Sequence, residues 1–205
     1  MFNRSILARG CALALVAAAV VPATLTVSQP ASAKTEKAPK IKLSKEVEKI
    51  LIDVQKAQSK KQYDEAKAKI QEALALPGRT EEDLYVISQF RYNNAVTQQD
   101  MAEVEAALEG MTSTSLMPEP DKQKAMRNLV NLAVGNKNYD LAVTRSRTYL
   151  AAYPGDAEVR QLMARILFVK NQYQEAGAEM GQAIAQKESG GGIADEDWYQ
   201  IQKSA

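Results

Sequence analysis

Histidine is absent from this 205-residue chain, and its one cysteine, Cys11, lies in an apolar N-terminal run. The commonest general base and the commonest soft nucleophile are therefore missing from everything that follows. What remains for covalent chemistry is carboxylate work, such as hydrolysis of a cell-wall glycan by two acids. Asp83, Glu103 and Glu196 could be nominated for it. Each sits at a helix start or on an exposed face, where acids are expected for reasons of solvation and of the helix dipole. Glycines 190–192 precede acids and lack the lysine of a phosphate-cradling loop. No Gly-x-Ser-x-Gly elbow and no Ser-x-x-Lys pair occurs. The chain is read as non-catalytic, with no cofactor and no metal site.

The N-terminus carries Arg4 and Arg9 and no acid, then the apolar run 11–21, then Ala31, Ser32 and Ala33 before Lys34. This three-part grammar is that of a secretory signal peptide. Pro22 interrupts the run, which is shorter than the ~20 apolar residues of a spanning helix. Cleavage is expected after Ala33, with Val21-Pro22-Ala23 as an alternative site. Lipidation of Cys11 does not fit, because the apolar stretch follows the cysteine instead of preceding it. Processing leaves a mature chain of 172 residues with no cysteine, which excludes a disulfide framework and thiolate chemistry. It also removes two of the 26 basic residues, leaving 24 against 25 acids. That balance argues against nucleic acid as a partner. The expected location is the periplasm, with no membrane insertion after cleavage.

Residues 34–43 are expected to form a flexible leader, polar and containing Pro39. Beyond it apolar residues recur at helical spacing. Val47, Ile50, Leu51 and Val54 mark a first helix, and Ala66, Ile70, Ala73 and Leu74 a second, stopped by Pro77-Gly78. The acids Glu81, Glu82 and Asp83 suit the first turn of another. The pattern predicts hairpins at about 44–78, 81–111, 121–154 and 157–188, a loop at 112–120 and a terminal helix at 195–205. No strand-like alternation survives, so the fold class expected is all-α.

Within this series Tyr139-Asp140-Leu141-Ala142 recurs as Tyr173-Gln174-Glu175-Ala176, 34 residues later, with weaker echoes at Tyr63 to Ala66 and Met101 to Val104, each 38 residues before the next. Met126, Leu129, Ala133, Ala142, Tyr149 and Pro154, and then Met163, Ala164, Leu167, Ala176, Met180 and Ala183, occupy the positions at which helical hairpins need bulky and small residues to pack closely. The first hairpin offers Ile50, Val54, Ala57, Ala66, Ile70, Ala73 and Leu74. The second offers Ser88, Arg91, Tyr92, Ala95, Val104 and Leu108. Through residues 44–205 the chain resembles the tetratricopeptide repeat (TPR) family, and with its export signal an exported bacterial TPR-like protein. Val130, Ser146, Arg160, Glu188 and Asp53 depart from the pattern. The tyrosines 63, 139 and 173 and the methionines 101, 126, 163 and 180 are read as packing residues.

The resemblance implies a right-handed α-solenoid of four hairpins whose first helices line a concave groove, and a scaffold that binds a protein or peptide there. It places Gln89 and Asn93, Arg127 and Asn131, and Gln161 and Arg165 in that groove, each pair four residues apart on one helix face. The amides could satisfy the backbone of an extended peptide, and the guanidiniums could hold a carboxylate, as in TPR grooves that capture peptide C-termini. Such polarity is also what the solvated face of an amphipathic helix presents. Trp198 and Ile201 restart the pattern. They are expected either to cap the array or, preferably, to open a fifth repeat in a longer protein. Self-association through the solenoid ends is the alternative use, with the wall hydrolase behind it.

Overall fold

The computed structural model describes residues 41–205. The expected signal peptide, and the leader up to residue 40, lie outside the described residues. Nine helices and no strands occur among the described residues: α1 (Lys45–Ser59), α2 (Tyr63–Ala75), α3 (Glu81–Gln98), α4 (Met101–Thr112), α5 (Glu119–Gly135), α6 (Tyr139–Ala152), α7 (Ala157–Val169), α8 (Tyr173–Ser189) and α9 (Glu196–Ser204). The last residue assigned to the leader, Leu43, already packs against the first core cluster. Ordered packing therefore begins two residues before α1.

The first and second helix of every hairpin are joined by the same turn, built without glycine. Lys61, Gln99, Lys137 and Asn171 each take a positive φ of 56–61°. In each case the next residue donates its N–H to a carbonyl five back, Gln62 to Ala57, Asp100 to Ala95, Asn138 to Ala133 and Gln172 to Leu167, all at 2.9 Å. The left-handed residue itself donates three back, as Lys61 does to Gln58. This is the Schellman closure, which satisfies carbonyls that a helix end leaves open. The accepting residues 57, 95, 133 and 167 are spaced 38, 38 and 34 apart, so the period read from sequence is a period of backbone geometry.

Helices pack mainly with their neighbours in the chain: α1 with α2, α2 with α3, and so on to α9 on α8, with further contacts of α1 with α3 and of α7 with α9. The interior is correspondingly divided. One cluster runs from Val47 to Leu129, a second from Ala133 to Ala176, and a third gathers Ala164, Met180, Ala183, Ile184, Ala194 and Trp198. Stability in such an array is a sum of local units and their interfaces.

Small residues let the helices approach. A Cβ at Gly110 would come within 2.2 Å of Ser88 Oγ, and Cβ atoms at Gly177 and Gly181 would meet Ala205 and Gln202 of the α9 segment. The long loop expected at 112–120 is shorter, because Pro120 is accommodated in the first turn of α5, where a missing N–H costs nothing. Met101, expected as a core filler, is 49% exposed at the start of α4, whereas Met163 and Met180 are buried. Tyr173 is also largely exposed, with its ring edge-on to Phe168 and its hydroxyl donating to Asn171 Oδ1 at 2.6 Å.

Candidate partner-binding face

Ion pairs join successive helices on both sides of the array. The even-numbered helices are stitched by ion pairs. Lys67 of α2 reaches Asp100 (2.9 Å) at the start of α4 and Glu103 (3.4 Å) in it. Arg145 of α6 holds Glu105 (2.6 Å) and Glu109 of α4, and Arg147 holds Glu175 of α8. The odd-numbered helices carry the six residues singled out in the sequence, two on each of α3, α5 and α7.

Gln89 is only 9% exposed, where a groove-lining residue was expected to stand open. It lies one turn before the exposed Asn93 on α3. Asn131 is exposed on α5 and Gln161 half-buried on α7. The side chains of these four residues form no hydrogen bond to the described residues. Among the described residues the one buried side-chain polar atom that is sealed from solvent and unpartnered is Ser146 Oγ, so the Gln89 amide keeps an edge in contact with solvent. An amide carries up to four hydrogen-bonding sites, and those of Gln89 are open to solvent or to a bound segment.

The two guanidiniums are engaged. Arg127 lies 3.6 Å from Asp156, the residue that caps α7, and Arg165 pairs with Asp197 in the first turn of α9. Asp156 also accepts from Val159 N at 3.1 Å and from the Tyr149 hydroxyl at 2.6 Å. The arginines thus bridge successive odd-numbered helices. The spacing of four finds the face but not these carboxylates, which come from the next helix start, roughly one repeat away in sequence. Asn128, exposed on α5 beside Arg127 and likewise without a side-chain hydrogen bond to the described residues, joins the face and was not singled out by the spacing.

The carboxylates nominated for chemistry have internal duties. Asp83 is fully buried. Its Oδ1 accepts from Ser44 N (2.9 Å), and its Oδ2 from Ser44 Oγ (2.8 Å) and Thr80 N (3.0 Å). Asp83 N in turn donates to Thr80 Oγ1, closing a capping box. Burial works to raise the Asp83 pKa. The donors of Thr80 and Ser44 outweigh it and hold the carboxyl below its ordinary value. Glu103 is pinned by Arg91 at 2.5 Å and by Lys67; the Arg91 hydrogen bond is the largest cause of its lowered pKa. Glu196 is exposed in the first turn of α9. No cluster of three or more His, Cys, Asp or Glu fit to hold a metal occurs among the described residues. No helix among them is long and apolar enough to cross a membrane.

Fold and face together define an all-α solenoid of TPR-like hairpins with an amide-lined odd-helix side. No family model matches the chain, and no curated protein does. Among solved structures it is similar to MamA 41-end from Desulfovibrio magneticus RS-1, at 16% identity over 78% of this chain and 84% of that one, with a TM-score of 0.42. A double mutant titled MamA RS-1 ArsTM gives the same identity and score over 83% of its length. The APC/C hetero-tetramer Cut9-Hcn1 is similar at 16% identity and a TM-score of 0.43, over 77% of this chain and 29% of that one. The fold described here rests on the hairpins themselves and not on these likenesses.

Proposed function

We propose that the chain is a non-catalytic scaffold of the bacterial periplasm whose odd-numbered helices hold an extended segment of a protein partner. The observation that carries this reading is the set of unpartnered amides, Gln89 foremost. The Gln89 amide, 9% exposed, makes no hydrogen bond to the described residues and keeps its polar edge open, where a ligand's backbone could pair with it. Asn93, Asn131 and Gln161 extend the row across three helices. Because Arg127 and Arg165 already hold Asp156 and Asp197, the segment is read through its peptide N–H and C=O groups and not through a terminal carboxylate. The burial of Asp83 and the pinning of Glu103 favour a scaffold over a hydrolase. The N-terminal charge and apolar pattern is the support for export.

The test is a photo-crosslinker at Asn131, with a control at Thr148, which is exposed on α6. Incubation with envelope extract should give a discrete adduct at Asn131 alone. Asn93→Ala, Asn131→Ala and Gln161→Ala together should weaken capture of that partner by roughly tenfold or more, since each amide contact is worth about 0.5–1.5 kcal/mol. Equal labelling at both positions, or unchanged capture by the folded triple variant, would overturn the proposal.

A further inference from the structure

The two ends of the array are built alike in plan and opposite in charge. On α1 the buried residues Val47, Leu51, Val54 and Ala57 face the core. At 100° per residue, Lys45, Lys49, Ile52 and Lys56 fall diametrically opposite, and all four are exposed. Among the described residues Lys56 is the one of the three lysines with an ion pair, to its own helix neighbour Asp53 at 3.0 Å. Lys42 is also exposed just before α1. At the other end Ile193 is 85% exposed, the most open large apolar side chain among the described residues. Asp195 and Glu196 follow it, both exposed, and Glu188 precedes it. Each end thus offers an isoleucine beside which one sign of charge predominates: lysine on the outer face of α1, flanked by Glu48 and Asp53, and carboxylate around Ile193, with Lys203 further along α9.

From this complementarity we infer that the chain associates with a second copy of itself head to tail, the α1 face of one molecule seating on the Ile193–Glu196 segment of the next. Like ends repel. An α1-to-α1 contact would bring lysine stripes together, and a tail-to-tail contact would bring carboxylates together, so a closed two-fold dimer through either end is disfavoured. A head-to-tail contact leaves one free end of each kind and grows as an open row. Burying the two isoleucines supplies the apolar part and the charges supply the polarity of assembly. The amides of α3, α5 and α7 are not among the contact residues, so each added copy repeats the same row. The inference stands apart from the partner-binding proposal and fails or survives independently of it.

Sedimentation velocity of the purified chain tests it. Between about 0.01 M and about 1 M salt the Debye length falls from ~30 Å to ~3 Å, so species larger than one copy should appear with rising concentration at the low end and recede at the high end. Lys45→Glu with Lys49→Glu should weaken association roughly tenfold or more, and so should Asp195→Lys with Glu196→Lys. These residues are exposed, and unchanged circular dichroism would establish that both variants fold. Mixing the two reversed variants restores opposite charges at every junction and should bring association back. Monomer mass at every concentration in low salt would overturn the inference, as would association that survives both reversals or a mixture that stays monomeric.

Discussion

Replacement of Asp83 by asparagine should loosen one end of the molecule and leave the other intact. The carboxylate accepts three hydrogen bonds while 0% exposed, two of them from backbone N–H groups, Ser44 N and Thr80 N. Asparagine has one oxygen. If its NH2 group takes the place of Oδ2, the Ser44 hydroxyl can turn to accept, but Thr80 N is left facing a donor. If the amide flips, Ser44 N is orphaned instead. A hydrogen bond to a charged acceptor is worth about 1.5–3 kcal/mol, and an orphaned buried N–H costs about 1–3 kcal/mol, so the variant should lose about 3 kcal/mol. The loss should appear as faster amide hydrogen exchange across α1 and α2, whose entry Ser44 is tied to α3 through this carboxylate. Helices α7 to α9 should keep their protection. Ser44→Ala, which removes the hydroxyl and keeps the N–H, should cost about 1 kcal/mol and add little in the Asp83→Asn background. The pH dependence has a fixed sign. Because the native carboxyl titrates below its ordinary value, its stabilisation is fully present above about pH 4 and is lost as pH falls through the native pKa. The gap between wild type and Asp83→Asn should therefore narrow in acid. A variant within about 0.5 kcal/mol of wild type at neutral pH, or a loss of protection spread evenly along the chain, would refute the reasoning.

Two further outcomes follow from the packing. Lys137→Gly should stabilise the chain by about 0.5–1 kcal/mol in urea unfolding, because lysine at φ 56° carries the left-handed penalty that glycine avoids, partly offset by glycine's freer unfolded state. Trp198→Ala should cost about 3–5 kcal/mol, since the ring is 1% exposed within the third cluster and carries Lys187 Nζ at 4.5 Å from its centroid. Its exchange signature should be confined to α7, α8 and α9.

The hairpin series was readable because apolar spacing of three and four and the tyrosine-led echoes are local properties of the chain. The turn that joins each pair was not, since its left-handed position is filled by lysine, glutamine, lysine and asparagine and no shared letter marks it. Pro120 reads as a loop residue by composition, yet stands inside a helix because only the first turn tolerates it. The odd-helix face could be traced from residues four apart. What those residues do there could not, because the partners of Arg127 and Arg165 arrive from the following helix start and the burial of Gln89 depends on neighbouring helices. Asp83 carried the same ambiguity. A first-turn acid suits the dipole whether it lies in water or beneath Ser44, and the second case is the one realised.

The division of the interior into three clusters gives the molecule a mechanical character. A protein with one central core resists a pull at its two termini until everything yields together. Here a load along the array meets the clusters in series, and small shifts at each junction between hairpins add up along the length. An array of this kind yields through its interfaces while each hairpin stays folded.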